Sequence, residues 1–235
     1  HVEISGSGPD LVLLHGWGMN AAVWGELGTE LAQHFRLHCV DLPGHGASHA
    51  CTPRTLDELA DLLAATLPPR ATLCGWSFGG QVALNLALRK PNQIERLVLL
   101  AATPRFVRGA GWNCGIDAAV LDDFARGLAH DLRATLQRFI ALQARGDAHP
   151  RVVMRRLREY ILARGEPDVA ALDAGLRLLK ETDLRDRLER ITQRTLILHG
   201  ERDTLVPLAA GEYLQRVLPD AVLDVFAGTA HALFI

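Results

Sequence analysis

The chain has 235 residues, a formal net charge of −2 and a hydrophobic fraction of 49%. This length and composition predict one domain that buries a full core, with room for an insertion. They argue against a basic nucleic-acid-binding protein, no apolar run approaches the roughly 20 residues of a membrane span, and the four scattered cysteines do not suit a disulfide framework.

Short apolar segments alternate with segments of helical pattern over the first 104 residues. After a first β segment, the predicted elements are strand 11–14, helix 24–34, strand 36–40, helix 56–67, strand 71–74, helix 81–88 and strand 94–101. The alternation breaks near Pro104 and resumes with strands at 195–200 and 221–226. This order predicts an α/β fold, in which a mainly parallel sheet carries helices on both faces.

A G-x-S-x-G motif, Gly75-Trp76-Ser77-Phe78-Gly79, joins the predicted strand 71–74 to the predicted helix 81–88. The pattern is typical of a serine held in a strained strand-to-helix turn. Glycine two residues before and two residues after the serine avoids a steric clash in such a turn. We therefore predict that Ser77 is a nucleophile.

A nucleophilic serine needs a base and an orienting acid, which in this architecture follow in the order serine, acid, histidine. Asp203 comes just after strand 195–200, and His231 lies in a small-residue loop after strand 221–226. We predict that His231 takes the proton from Ser77 and that Asp203 holds the imidazole. Glu201 is a rival acid, but Asp203 has more room beyond the strand to bend toward His231.

Two backbone N–H groups are the expected donors to the oxyanion of a tetrahedral intermediate. One is that of Phe78, at the positive end of the helix that follows the nucleophile. The other is that of Trp17, in the loop His15-Gly16-Trp17-Gly18 that follows strand 11–14. The Trp17 side chain is expected either to wall the substrate slot or to pack in the core.

Residues 105–180 read as helical and are predicted to form a cap inserted into a core of residues 1–104 and 181–235. Between Arg133 and Arg164 there are eight arginines and two acids, a net charge of +6. This cluster is either a solvated helix face or a docking surface for an acidic partner. The apolar segment Phe139-Ile140-Ala141-Leu142-Gln143 either packs within the cap or lines a pocket for an aliphatic acyl chain.

No cluster of cysteines and histidines suggests a metal, so we expect neither a metal nor another cofactor. Cysteines in predicted strands fit a reducing compartment, and the expected location is the cytoplasm. We also expect a monomer with no nucleic-acid or membrane partner.

Several motifs together resemble the α/β-hydrolase superfamily and, within it, the pimeloyl-acyl-carrier-protein methyl ester esterases of biotin synthesis. They are His15-Gly16-Trp17-Gly18, Asp41-Leu42-Pro43-Gly44-His45-Gly46, Gly75-Trp76-Ser77-Phe78-Gly79-Gly80, Phe139 to Gln143, and Gly228-Thr229-Ala230-His231-Ala232. The resemblance runs over nearly the whole chain, although the core motifs alone indicate only the superfamily.

This resemblance implies a specific reaction and a specific partner. Members of the family hydrolyse the methyl ester of a pimeloyl chain carried on acyl carrier protein, which is strongly acidic. The residues that match the family's substrate contacts are Trp17, Ser77, Phe78, Phe139, Ile140, Ala141, Leu142, Gln143 and His231. Those that match its carrier-facing arginines are Arg138, Arg151 and Arg155.

Other functions of the same fold stay open at this point. A general short-chain carboxylesterase, a lactonase or a C–C bond hydrolase would use the same serine machinery. Epoxide hydrolases and haloalkane dehalogenases use aspartate at the elbow, and Ser77 argues against them. A non-catalytic ligand receptor is a further alternative, although the complete set of Ser77, Asp203 and His231 disfavours it.

Overall fold

Seven strands form one sheet in the computed structural model, which describes residues 1–48 and 51–235. Their order across the sheet is β1-β3-β2-β4-β5-β6-β7. β1 runs antiparallel to β3, and the other neighbouring pairs are parallel. The strands are β1 Val2–Ser5, β2 Asp10–Leu14, β3 Arg36–Val40, β4 Ala71–Trp76, β5 Ile94–Leu100, β6 Arg194–Gly200 and β7 Ala221–Phe226.

The central strands β2 and β4 are nearly continuous apolar runs, and they are buried on both faces of the sheet. Such runs suit a parallel sheet that is covered by helices above and below. The eight helices of the described residues are α1 Gly25–Leu31, α2 Leu56–Ala64, α3 Phe78–Arg89, α4 Ala118–His130, α5 Leu132–Gln143, α6 Pro150–Leu162, α7 Val169–Glu181 and α8 Leu208–Val217. The predicted α/β fold is confirmed.

Helix boundaries differ from the predictions where local chemistry intervenes. The predicted helix 24–34 is a 3₁₀ turn, Ala21–Trp24, followed by the shorter α1, because Gly25 has a φ of 27° and interrupts the helical path. α3 begins at Phe78, three residues before its predicted start, because the turn at Ser77 leads directly into the helix. Four helices begin where a side chain accepts a backbone N–H, with Thr55, Asp117, Asp131 and Asp168 as the caps.

Helices α4 to α7 lie between β5 and β6 in the chain and contact the loops that follow the strands. The Trp17 indole N–H donates to the Leu172 carbonyl in α7 at 2.8 Å. The Asn20 side-chain amide donates to the Tyr160 carbonyl in α6 at 3.0 Å. These helices are therefore fixed to the edge of the sheet at which the parallel strands end.

An arginine just beyond α6 makes a further connection to the sheet. Arg164 forms ion pairs with Glu3 and Asp41, and its Nη1 lies 3.3 Å from the Asp41 carboxylate. The Asp41 side chain is fully buried and also accepts the N–H groups of Ala21 and Ala47, at 2.7 and 3.0 Å. Arg164 therefore neutralises a buried carboxylate while it ties the end of α6 to the core.

Replacing Arg164 with methionine should lower the free energy of unfolding by about 2 kcal/mol, because a buried carboxylate loses its cationic partner. Urea unfolding measures the change. The matched control is Arg126→Met, which removes an exposed ion pair with Asp123 and should cost less than about 0.5 kcal/mol. Equal losses in the two single variants would contradict this interpretation.

Candidate active site

Ser77 occupies the sharp turn between β4 and α3. Its φ of 57° and ψ of −116° lie outside the regions that side chains prefer, and only one other non-glycine residue of the described chain has a positive φ. Its N–H donates to the Leu100 carbonyl at 2.9 Å, and its carbonyl accepts the Gly80 N–H at 2.9 Å. These bonds hold the serine in a strained conformation at the end of a central strand.

The two glycines of the motif are required by close backbone contacts. A Cβ atom on Gly75 would lie 2.3 Å from the Gly79 carbonyl oxygen, and one on Gly79 would lie 2.2 Å from the Leu14 carbonyl oxygen. The backbone cannot yield as the end of a flexible side chain would. The turn therefore forms only when both positions lack a side chain.

Replacing Gly79 with alanine should destabilise the fold by about 3 kcal/mol, because the new methyl group would displace the backbone of β2. Urea unfolding measures the loss. Gly28→Ala is the matched control, since a Cβ at Gly28 meets its nearest atom at an ordinary 3.5 Å. Alanine should stabilise α1 there by up to about 1 kcal/mol. A Gly79 variant as stable as the wild type would show that the contact is not tight.

The structure brings the three predicted catalytic side chains together. His231 Nε2 lies 2.8 Å from Ser77 Oγ, and His231 Nδ1 lies 2.7 Å from Asp203 Oδ2. All three residues are buried. Because the carboxylate can only accept, Nδ1 carries the proton, which leaves Nε2 free to accept the Ser77 hydroxyl hydrogen. This is the arrangement in which an imidazole can act as a base toward a serine.

Asp203 is fixed from its other side by the loop that follows it. Its Oδ1 accepts the N–H groups of Leu205 and Val206, each at 2.9 Å. The rival acid Glu201 instead accepts the Gly228 N–H at 2.9 Å, and it is exposed. The structure therefore places Asp203 against His231 and turns Glu201 toward the solvent.

The loop that carries His231 is held by two backbone contacts. The Trp76 indole N–H donates to the His231 carbonyl at 2.9 Å, and the His231 N–H donates to the Gln143 carbonyl at 3.3 Å. The first contact joins the loop to β4, and the second joins it to the end of α5. The position of the imidazole thus depends on both the sheet and the inserted helices.

The loop from His15 to Gly18 passes directly beside Ser77. A Cβ on Gly16 would lie 3.4 Å from Ser77 Cβ. The His15 ring accepts the Leu42 N–H at Nε2 and donates from Nδ1 to the Gly16 carbonyl. Burial lowers the pKa of His15 to about 3, so the ring stays neutral and braces the loop.

Two N–H groups at the site have no hydrogen-bond acceptor within the part of the chain that the structure describes. They belong to Trp17 and Phe78, the residues predicted to form the oxyanion hole. The Phe78 N–H is the first of helix α3, where the helix dipole favours negative charge. That both groups donate to an oxygen bound at Ser77 stays a prediction.

Comparison with known proteins decides the family. The model of the alpha/beta hydrolase fold matches residues 9–235. The chain belongs to the α/β-hydrolase family.

Two relatives of this hydrolase carry the same name, and each matches it along the whole chain. It is 45% identical over 235 residues to the pimeloyl-[acyl-carrier protein] methyl ester esterase of Nitrosomonas europaea, covering 100% of the chain and 93% of the relative. It is 44% identical over 236 residues to the same-named esterase of Xanthomonas campestris, covering 100% and 92%. The predicted resemblance is confirmed.

A solved structure supports the same conclusion about the fold. The hydrolase superimposes on the esterase EaEST of Exiguobacterium antarcticum with a TM-score of 0.88, at 26% identity over 100% of this chain and 89% of that one. An enol-lactonase of Burkholderia xenovorans also matches, with a TM-score of 0.85 at 23% identity over 100% and 90%. The second likeness concerns the fold alone.

The predicted acyl-binding segment spreads over different faces of helix α5. Phe139 is buried, and its ring lies 4.7 Å from that of Trp17. Gln143 is also buried, and its side-chain Nε2 has no partner within the described residues. Ile140 and Leu142 line grooves on either side of α5, whereas Ala141 is exposed. Contact of all five residues with a substrate stays a prediction.

Phe124, on α4, belongs to the same aromatic cluster and was not predicted. Its ring lies 5.6 Å from that of Phe139 and 6.3 Å from that of Trp17. It also lines a groove of about 250 Å³ between α4 and α5, together with Arg138 and Leu142. No pattern in the sequence around Phe124 distinguishes it from an ordinary core residue.

A second groove, of about 280 Å³, lies between α5 and α6. Its apolar walls include Leu136, Ile140 and Ile161, and Arg133 and Arg158 stand at its rim. The hydrolase thus has an apolar depression on each side of the helix that carries Phe139.

The structure divides the arginine cluster into two groups. Arg133, Arg156 and Arg164 form ion pairs with acidic side chains of the hydrolase itself. The other five have no acidic partner within 4.0 Å among residues 1–48 and 51–235: Arg138, Arg145, Arg151, Arg155 and Arg158. Arg151, Arg155 and Arg158 are exposed at spacings of four and three residues, which places them on one face of α6.

Among residues 1–48 and 51–235, no three or more His, Cys, Asp or Glu side chains are grouped so as to hold a metal ion. No helix in this part of the chain is both long enough and apolar enough to cross a membrane.

Proposed function

We propose that this hydrolase is a serine carboxylesterase that cleaves the methyl ester of a pimeloyl chain carried on acyl carrier protein, as a step of biotin synthesis. The products would be methanol and the free pimeloyl carboxylate, still attached to its carrier. The observation that carries this proposal is the hydrogen-bonded series of Ser77, His231 and Asp203. It occurs in a chain that is similar along its whole length to esterases of that name.

The chemistry follows from the positions of the three side chains. As Ser77 Oγ attacks the ester carbonyl, its proton passes to His231 Nε2. Asp203 stabilises the imidazolium that forms, and the N–H groups of Trp17 and Phe78 hold the developing oxyanion. His231 then protonates the departing methoxide, which leaves as methanol.

The resulting acyl-enzyme is hydrolysed by the same groups in reverse order. A water molecule takes the place of methanol, and His231 removes its proton as the oxygen attacks the acyl carbonyl. Collapse of the second tetrahedral intermediate returns a proton to Ser77 Oγ and releases the carboxylic acid. His231 acts as base and then as acid in each half of the cycle.

The apolar surroundings suit an esterified chain better than a free acid. Trp17, Phe124 and Phe139 form an aromatic cluster next to the nucleophile's loop. A methyl ester masks the terminal charge and can enter such surroundings, whereas a carboxylate would lose its hydration there. We propose that residues Phe139 to Gln143, with Trp17, contact the chain and that the charged product leaves the site.

The inserted helices would serve as a cap that receives the carrier. Residues 105–180 carry Phe124 and Phe139 of the aromatic cluster, both grooves and the five arginines without acidic partners. The core of 1–104 and 181–235 carries Trp17, the nucleophile, the acid and the base. Arg138, Arg151 and Arg155 would bind the acidic surface of the carrier protein. The enzyme would act as a monomer in the cytoplasm.

Genetic complementation tests this function in a cell. The wild-type chain should restore growth without biotin to a strain that lacks its own esterase, and Ser77→Ala should not. Restoration by both proteins, or by neither at equal expression, would refute the proposal.

A general short-chain carboxylesterase is the second candidate, because EaEST, an esterase, shares the fold at 26% identity. The ratio of kcat/KM for the carrier-bound methyl ester to that for p-nitrophenyl acetate separates the two functions. A carrier-specific enzyme should favour the carrier-bound ester, and a general esterase should not. If no ester is cleaved in a Ser77-dependent manner, the chain would instead be a ligand-binding member of the family.

A further inference from the structure

A second histidine lies beside the acid of the site, and neither the proposed reaction nor the sequence motifs use it. His199 is fully buried at the end of β6, four residues before Asp203. Its Nε2 lies 2.8 Å from the Val206 carbonyl oxygen and 3.8 Å from Asp203 Oδ2. Its ring therefore faces the loop that presents the acid.

The hydrogen bonds of the ring fix its tautomer. Because a carbonyl oxygen can only accept, Nε2 carries the proton and Nδ1 does not. Within the described chain Nδ1 has no hydrogen-bond partner. It faces Gly211 in α8 so closely that a Cβ there would lie 2.8 Å from it. Helix α8 thus leaves no room for an acceptor that a second ring proton would need.

Val206 connects His199 to the acid. Its carbonyl accepts the His199 Nε2–H, and its N–H donates to Asp203 Oδ1 at 2.9 Å. The other carboxylate oxygen, Oδ2, accepts the His231 Nδ1–H at 2.7 Å. A continuous series of hydrogen bonds therefore runs from the His199 ring through the loop to the base.

We propose that His199 is a positioning residue, a neutral imidazole that holds the 203–206 loop so that Asp203 directs Oδ2 at His231. This inference rests on the proposed serine mechanism. It assigns to His199 no contact with the substrate.

The charged and titratable groups around His199 act in opposite directions on its protonation. Asp203 in the loop and Glu212 in α8 favour the charged ring, and His231 opposes it. Burial outweighs all three and holds the pKa of His199 below its usual value. A charged ring would also compete with His231 for Asp203 Oδ2. Asp203 therefore pairs with His231 as required only while the His199 ring is neutral.

Two variants separate positioning from packing. His199→Gln keeps an N–H group at the reach of Nε2, and His199→Leu fills similar space without a donor. For p-nitrophenyl acetate, kcat should fall about fivefold in the leucine variant with KM unchanged, since a net hydrogen bond is worth about 1 kcal/mol. The glutamine variant should stay within about twofold of the wild type. Equal kcat values in the two variants would overturn the proposal.

Nuclear magnetic resonance of histidine labelled with ¹⁵N gives a readout that does not depend on activity. In the wild-type protein, His199 should remain neutral and protonated at Nε2 from about pH 5 to 8. A ring that titrates in that range, or that carries its proton at Nδ1, would overturn the proposal even if the leucine variant did not fold. If the wild-type protein shows no Ser77-dependent ester hydrolysis, that result would instead count against the esterase function.

Discussion

Replacing Ser77 with alanine should lower kcat for ester hydrolysis by at least about 10⁴-fold while the protein stays folded. The variant keeps the N–H groups of Trp17 and Phe78 but has no oxygen to attack the carbonyl. His231→Ala should cause a loss of similar size, because the hydroxyl then has no base. The double variant should be hardly worse than either single one, since the two side chains act as a unit. Initial rates with p-nitrophenyl acetate and with the carrier-bound ester measure all three.

Ser7→Ala is the matched control, since Ser7 is exposed in the loop between β1 and β2. It should leave kcat unchanged. Urea unfolding should give the Ser77 and His231 variants midpoints near that of the wild type, which would exclude loss of fold as the cause. Turnover by Ser77→Ala within tenfold of the wild type would mean that another group attacks the ester.

Reversing the charge of Arg138, Arg151 and Arg155 together should lower kcat/KM for the carrier-bound ester by about 100-fold at low ionic strength. None of the three has an acidic partner within the described chain, so each is free to meet a carboxylate of the carrier. The rate for p-nitrophenyl acetate should change far less, because that ester carries no charged protein. For the wild type, added salt should slow only the carrier-bound reaction.

The control is a second triple reversal, Arg70→Glu, Arg96→Glu and Arg194→Glu, with the same change in net charge. All three arginines are exposed: Arg70 directly precedes β4, and Arg96 and Arg194 lie near or at the start of β5 and β6. Ser77 follows the other end of β4. This variant should keep the carrier-bound rate within about threefold of the wild type. Equal losses of the carrier-bound rate in the two triple variants would contradict docking on the cap. So would equal losses on the two substrates in the variant of Arg138, Arg151 and Arg155.

Much of the site could be predicted because it follows from backbone rules. A G-x-S-x-G turn must lie at the end of a strand, and acid and base must follow later strands whose ends meet at the same edge of the sheet. The preference for Asp203 over Glu201 used the same logic, and the structure turns Glu201 away from His231.

What the sequence could not predict depends on partners that are distant along the chain. Arg156 and Arg164 belong to the same basic run as Arg155, yet they pair with Glu26 and Glu3. Likewise, Phe124 meets Trp17 only after the inserted helices fold onto the core. Such pairings arise from tertiary packing, on which local periodicity carries no information.

The exact ends of two helices also could not be predicted from the sequence. The predicted helix 56–67 ends at Ala64, and the predicted helix 24–34 is broken at Gly25. Beside Gly25 lies Tyr160, whose hydroxyl oxygen would be 2.5 Å from a Cβ at that position. The apolar pattern continues through both boundaries, because the same residues can pack on the sheet from a turn as well as from a helix.

The most direct test of the account is to identify the bond that the enzyme breaks in a carrier-bound pimeloyl methyl ester. Mass spectrometry of the intact carrier after reaction should show the acyl chain still attached and lighter by one CH₂ group, with methanol in solution. A reaction quenched early with acid should contain a covalent adduct of carrier and enzyme that maps to Ser77, because attack at the ester end leaves the chain joined to both proteins. Release of the free carrier thiol, or an unchanged product pattern with Ser77→Ala, would contradict the account.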